Sequence, residues 1–129
     1  MSHNSHPKPY ELTLEHRNGY LYAYVEGESD SYEISRAFWT EVADEVRRTD
    51  VERVLIDENI EQSVSMAEVF QLASELPKMG FGSARVAFVD RYLDQQEVNA
   101  FGELVAVNRG LSGKVFNNVA EAESWLIGS

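Results

Sequence analysis

From Tyr10 onward, apolar and polar residues alternate: Tyr10, Leu12 and Leu14 against Glu11, Thr13 and Glu15. A period of two sends successive side chains to opposite faces and predicts a half-buried strand. Asn18-Gly19 follows, then Leu21-Tyr22-Ala23-Tyr24-Val25. Asn-Gly favours a type I′ turn, in which both central residues take positive φ, so the two runs are expected to form an antiparallel hairpin. Past Gly27 the period lengthens. Ile34, Phe38, Val42 and Val46 recur every fourth residue, with Glu41, Asp44, Glu45, Arg47 and Arg48 between them. That is an amphipathic helix. Val54-Leu55-Ile56 ends at Asp57, and Val86-Ala87-Phe88-Val89 ends at Asp90. Both runs read as buried strands. Between them a helix carries Met66, Val69, Phe70, Ala73 and Leu76 on one stripe and stops near Pro77 and Gly80. A third helix presents Val98, Phe101, Leu104 and Val105 before Gly110. Lys114-Val115-Phe116 is a last strand, and Val119, Ala122, Trp125 and Leu126 mark a last helix.

Each helix has the same start signal. Asp30-x-x-Glu33, Ser65-x-x-Glu68, Asp94-x-x-Glu97 and Asn118-x-x-Glu121 all have capping-box spacing. The element order is β-β-α-β-α-β-α-β-α. Strands joined through helices imply parallel pairing with right-handed crossovers. The expected fold class is α/β: a mixed, mostly parallel sheet of about five strands, with an N-terminal antiparallel hairpin and four helices. Residues 1–9 (MSHNSHPKP) lack apolar periodicity and read as a disordered tail, leaving 10–129 as a single domain.

Composition narrows the functions. Among 129 residues, 11 Lys and Arg face 22 Asp and Glu, for a formal charge of -11. Duplex nucleic acid and anionic membranes need basic surface, so neither is an expected partner. With no cysteine, thiolate metal sites, disulfides and cysteine nucleophiles are excluded. No apolar run reaches the ~20 residues that span a bilayer, and no signal peptide opens the chain. A cytoplasmic protein without membrane insertion is expected.

From Tyr20 to Leu126 the pattern resembles the STAS family in its free-standing, bacterial SpoIIAA-like branch. The resemblance rests on the strand leading into Glu26-Gly27, on Val54-Leu55-Ile56-Asp57, and on the loop to Ser65 with its helix. It also rests on Arg85-Val86-Ala87-Phe88-Val89 and on the closing Val119-Ala120-Glu121-Ala122-Glu123-Ser124-Trp125-Leu126. It implies a non-enzymatic regulatory module that docks a protein partner or a second copy of itself as a homodimer. In the family's antagonist proteins, a Ser or Thr at the start of the helix after the central strand is phosphorylated. Ser65 lies closest to that position and Ser63 second. The string from Glu58 to Ser65, ENIEQSVS, departs from the family's Asp-hydroxyl-Gly context and fits better the SpoIIAA-like proteins of unassigned role.

The candidate residues have competing readings. Ser65 is a phosphoacceptor or simply the helix cap paired with Glu68. Asp57 and Asp90 end consecutive strands, where open α/β sheets bind ligands. They could hold Mg²⁺, but no third ligand stands at a convincing spacing, so no metal or cofactor is expected. Of three histidines, His3 and His6 fall in the tail and His16 in the first strand. Gly80-Phe81-Gly82 precedes a strand and so is no Rossmann fingerprint. Adjacent Phe38 and Trp39 cannot share one narrow helix face, so one of them is expected to be partly exposed. The expected partner surface is Asp57, Glu58 and the loop to Ser65, the start of the second helix, and Trp39. The alternative is a carrier for an apolar or anionic small molecule, with a pocket near Asp57 and Asp90 lined by Met66, Phe70 and Phe88. No nucleophile–base pair is legible, so no enzymatic activity is expected.

Overall fold

The computed structural model describes residues 9–61 and 64–128. The tail expected at residues 1–9, Pro9 apart, and Ser63 lie outside the described residues. Strands β1 (Tyr10–Arg17), β2 (Tyr20–Gly27), β3 (Arg53–Ile60), β4 (Arg85–Asp90) and β5 (Ser112–Phe116) form one sheet in the order β1-β2-β3-β4-β5. β1 and β2 run antiparallel; the other three pairings are parallel. Helices α1 (Tyr32–Thr49), α2 (Met66–Glu75) and α3 (Gln96–Asn108) make the parallel connections, and α4 (Val119–Ile127) follows β5. This is the expected α/β sheet with its opening hairpin and four helices.

From β2 the strand order steps in one direction. Right-handed crossovers that always step the same way put their helices on one face. That face holds the larger core: Leu21, Ala23 and Val25 of β2 and Val54 and Ile56 of β3 meet Phe38, Val42 and Val46 of α1, with Leu72 of α2 and Val105 of α3 beside them. A fully buried side chain of this size contributes about 1.5–3 kcal/mol. Among the described residues only α4 packs on the other face, where its Ala122 and Leu126 cover Tyr20, Leu55, Ala87 and Val89.

Several local expectations are corrected. Gly19 takes a φ of 94°, but Asn18 is not in the positive region. The two-residue hairpin turn is therefore not type I′; one positive φ at the second position is the type II pattern. Ser31, not Asp30, caps α1, accepting from the Ile34 N–H. Asp94 lies inside a short 3₁₀ turn, Leu93–Gln95, and α3 begins without a side-chain cap. Ser65 and Asn118 do cap α2 and α4. Phe38 and Trp39 are both buried. Their directions differ by about 100° around α1, and the core fills that whole arc. Phe38 meets Tyr10 edge-on at 6.0 Å, while Trp39 stacks on Phe88 at 5.7 Å. Met66, Phe70 and Leu104, read as core-facing, are instead exposed on the outer side of α2 and α3. The sheet-facing arcs of these helices are taken by Leu72, Ala73, Val105 and Ala106.

Candidate functional site

β3 does not stop at Asp57, though its apolar run stops at Ile56. It runs three polar residues further and closes on Ile60. Asp57, Glu58 and Asn59 look like loop in composition, yet they continue the pleat. Asp57 pairs in register with Tyr24 and Val89, and Glu58 with Val25 and Asp90. Paired residues share a face and neighbours alternate. Asp57 and Asn59 thus lie on the α4 face, and Glu58 and Asp90 lie on the face of α1–α3. The two carboxylates first paired as candidates, Asp57 and Asp90, point to opposite sides of the sheet and form no common site.

On the α1–α3 face, three acids meet at the carboxyl ends of the strands. Asp30, in the loop before α1, accepts from the Ser31 N–H (2.8 Å) and the Ser35 hydroxyl (2.8 Å). Glu58 is 4% exposed and shares a hydrogen bond with Asp30. Asp90, 1% exposed, accepts from the Tyr92 N–H (3.0 Å), from Asn99 Nδ2 (2.7 Å) and from Gln95 Nε2. Burial raises the pKa of all three from the ordinary carboxylate value, most strongly for Glu58. For Glu58 the charges of Asp30 and Asp90 add to that rise. Hydrogen bonds from Ser35 to Asp30 and from Asn99, Tyr92 and Gln95 to Asp90 oppose it. The bond they share raises Glu58 and lowers Asp30, which makes Glu58 the donor of the pair whenever it holds a proton.

These groups close one end of a pocket between the sheet, α2 and α3, with a cavity volume of about 100 Å³. Asp30, Ser35, Glu58, Gln95 and Asn99 form the polar end. Trp39, Val69, Leu72, Phe88, Ala106 and Leu111 contribute the apolar wall. An apolar cavity of about 150 Å³ takes a benzene-sized guest, so this space suits a short alkyl chain. The donors at the polar end are directed at its own carboxylates: Ser35 at Asp30, and Gln95 and Asn99 at Asp90. Among the described residues, Gln95 Oε1 is buried without a hydrogen-bond partner.

On the α4 face, Asp57 is 0% exposed and fully matched. Arg91 grips it with two bonds, Nε at 3.0 Å and Nη2 at 2.7 Å, and the Tyr22 hydroxyl donates to it at 2.6 Å. Asn59 donates to the Tyr24 hydroxyl at 2.9 Å and accepts from Tyr92 at 2.9 Å. Burial, the bond to Asp57 and its charge push Tyr22 up to about 12. The Asp57 bond holds the Arg91 guanidinium above its ordinary value.

The expected site residues thus divide. Glu58 and Trp39 line the pocket, and Asp90 holds Gln95 and Asn99 in its wall. Trp39 is not a partner surface, because the core buries it. Asp57 is neither ligand-facing nor exposed, since Arg91 and Tyr22 consume its oxygens. Met66 and Phe70 stand outside the cavity lining, because they lie on the outer side of α2. Ser65 is exposed and makes the full capping box: its hydroxyl accepts from the Glu68 N–H at 3.2 Å, and Glu68 accepts from the Ser65 N–H at 3.0 Å. Asp30, Gln95 and Asn99 were not legible as site residues. Asp30 mimicked a helix cap; the other two sit five and nine residues past Asp90, on a loop-to-helix junction. Among the described residues no group of three or more His, Asp or Glu side chains is placed to hold a metal ion, and no helix is long and apolar enough to cross a membrane.

Compared with known proteins, the chain matches no family model, and no curated sequence is significantly similar to it.

Proposed function

We propose that this protein is a non-enzymatic, SpoIIAA-like STAS domain that binds a small, mainly apolar molecule between α2, α3 and the sheet. The observation that carries this reading is the pocket itself: an apolar wall ending in a few convergent polar groups, the usual make-up of a small-molecule site. It favours the carrier reading over docking, which needs no cavity. A non-enzymatic role is supported by how the donors are used. Acyl or phosphoryl transfer needs donors aimed at developing negative charge, and here Ser35, Gln95 and Asn99 are directed at the protein's own carboxylates. A cytoplasmic setting belongs to the same proposal and accords with the absence of cysteine.

Native mass spectrometry of the protein from its own cells tests this. The expected result is a mass increment that is lost on denaturation. It should also be lost in Ala106→Leu, which extends a side chain into the cavity wall. An increment that survives denaturation and disappears in Ser65→Ala overturns the reading in favour of a phosphorylated module. A ligand-free complex with itself or another protein overturns it in favour of docking. That second reading has its own support: Met66, Phe70, Leu104 and Val107 are 43–59% exposed on α2 and α3, and exposed apolar side chains on adjoining elements mark interaction sites.

A further inference from the structure

The proposed pocket has an unusual electrostatic balance at its polar end. Asp30 and Glu58 line that end, Asp90 stands behind it holding Gln95 and Asn99, and none of the ion pairs among the described residues involves any of the three. Among the described residues their hydrogen-bond partners are Ser31 N–H, Ser35, Tyr92 N–H, Asn99 and Gln95, and for Asp30 and Glu58 each other; none of these is a cation. A proton shared between Glu58 and Asp30 neutralises one acid of the pair. Three donors support Asp90 as a carboxylate, and Ser35, Ser31 and Glu58 support Asp30. Negative charge is therefore left at buried positions with no counter-cation among the described residues, where charge is costly unless paired.

Gln95 adds an independent observation. It lines the same pocket, is 5% exposed, and leaves Oε1 without a donor. Its orientation is fixed, because the Nε2 must face Asp90; a flip would set two acceptors against each other. A buried acceptor left unmatched costs about 1–3 kcal/mol. Acids and amide oxygen thus want the same thing, a guest that brings N–H or O–H donors. The uncompensated charge selects further. An anion is repelled, and an alcohol supplies one donor but no charge. An ammonium supplies three donors and a positive charge. Glu103 and Lys114 also line the pocket, with Glu103 accepting from the Val115 N–H at 2.7 Å and the Lys114 ammonium over the Phe116 ring on the α4 side.

We infer that the pocket is a site for a primary amine on a short apolar chain, with the ammonium among Asp30, Glu58 and Gln95 Oε1 and the chain against Trp39, Phe88 and Leu72. This rests on the ligand-pocket reading above and replaces its anionic option. Once an ammonium sits beside Glu58, the carboxyl no longer gains by keeping its proton, so binding releases protons.

The test is a head-group series on the full chain: n-butylamine, n-butanol, butyramide and butyrate, which share a chain length. Binding is followed by NMR through the Trp39 indole N–H, the Gly102 amide and the Gln95 side-chain amide. Probes this small bind in the roughly millimolar range. Butylamine is expected to shift these signals with about tenfold higher affinity than butanol or butyramide, and butyrate not to shift them. Calorimetry in buffers of different ionisation enthalpy should show protons released for butylamine and none for butanol. Asp30→Asn and Glu58→Gln, which keep shape and remove charge, should bring the amine down to the alcohol. Should either variant fail to fold, the wild-type ranking and the proton count still decide. Equal or tighter binding of butanol or butyramide overturns the amine assignment and leaves the pocket reading standing. No shift with any of the four overturns both.

Discussion

Asp57 and Glu58 are neighbours in β3, both buried acids at the carboxyl edge of one sheet. The pleat sends them to opposite faces, and their circumstances part there. Asp57 meets a guanidinium and a phenol, each within 3.0 Å. Glu58 meets two more acids and a cavity. The first arrangement is complete: the charge is paired, its oxygens are filled, and no room is left. The second holds its charge by sharing a proton, with an acceptor beside it unmatched. A buried acid does not by itself announce a site. What distinguishes the two is whether the protein supplies the partner.

The sharpest way to break this contrast is to remove the partner that Asp57 has. Arg91→Met leaves a buried carboxylate held only by Tyr22. Losing one member of an enclosed pair costs 3–5 kcal/mol. The Arg91 side chain is 48% exposed, so solvent reduces this to about 2–3 kcal/mol. Urea unfolding reads it directly. Adding Asp57→Asn should recover much of the loss, since removing both charges is close to neutral. A cost below about 0.5 kcal/mol would mean that the pair is ornamental and the two faces are alike.

Glu58→Gln is the matching change on the other face, and its signature is a pH dependence. Asp30, Glu58 and Asp90 all bind protons more tightly when folded. For such acids the folded state holds more protons than the unfolded chain. Stability is therefore full below the ordinary carboxyl range, about pH 4, and falls as pH rises through the folded values. Denaturation midpoints should drop from acid towards neutral pH in the wild type and drop less in Glu58→Gln. On the α4 face the same linkage appears at the opposite end of the scale. Tyr22 is pushed from 10 to about 12, so stability is lost across that interval, and Tyr22→Phe removes this loss. A Glu58→Gln profile that tracks the wild type throughout the acid range would show that Glu58 is ionised and that the contrast with Asp57 is false.

The sheet, its hairpin and the four helices were legible because periodicity reports burial, and burial decides the elements here. The site was half legible. Strand ends marked the right edge of the sheet, and Asp57, Glu58 and Asp90 were all noticed. What failed was the face. A β3 that stops at Asp57 leaves Glu58 in a loop, where no alternation applies. Continued to Ile60, the pattern reads Leu55, Asp57, Asn59 on one side and Ile56, Glu58, Ile60 on the other, which assigns Glu58 to Asp90. Arg91 and Gln95 were not legible, since their roles depend on which strand end lies beside them in space. Trp39 misled because two adjacent aromatics need a core wider than one stripe, and α1 lies under such a core.

The smallest expected effect lies at Ser65, on the helix that walls the pocket. Ser65→Ala removes an N-cap and half of a capping box, worth about 1 kcal/mol, and touches neither Asp57 nor Arg91. Stability should fall by that amount, and the Glu68 amide should exchange faster because its acceptor is the lost hydroxyl. The loss between pH 10 and about 12, which reports Tyr22, should stay where it is. Ser65→Asp separates a cap from a switch. Aspartate caps a helix as well as serine does and its charge suits the helix start, so stability should return to the wild-type value with the α4 face undisturbed. If Ser65→Asp instead shifts the Tyr22 transition, charge at this cap is felt across the sheet. The two faces would then be coupled, and the independence that makes Asp57 a structural acid and Glu58 a binding one would have to be given up.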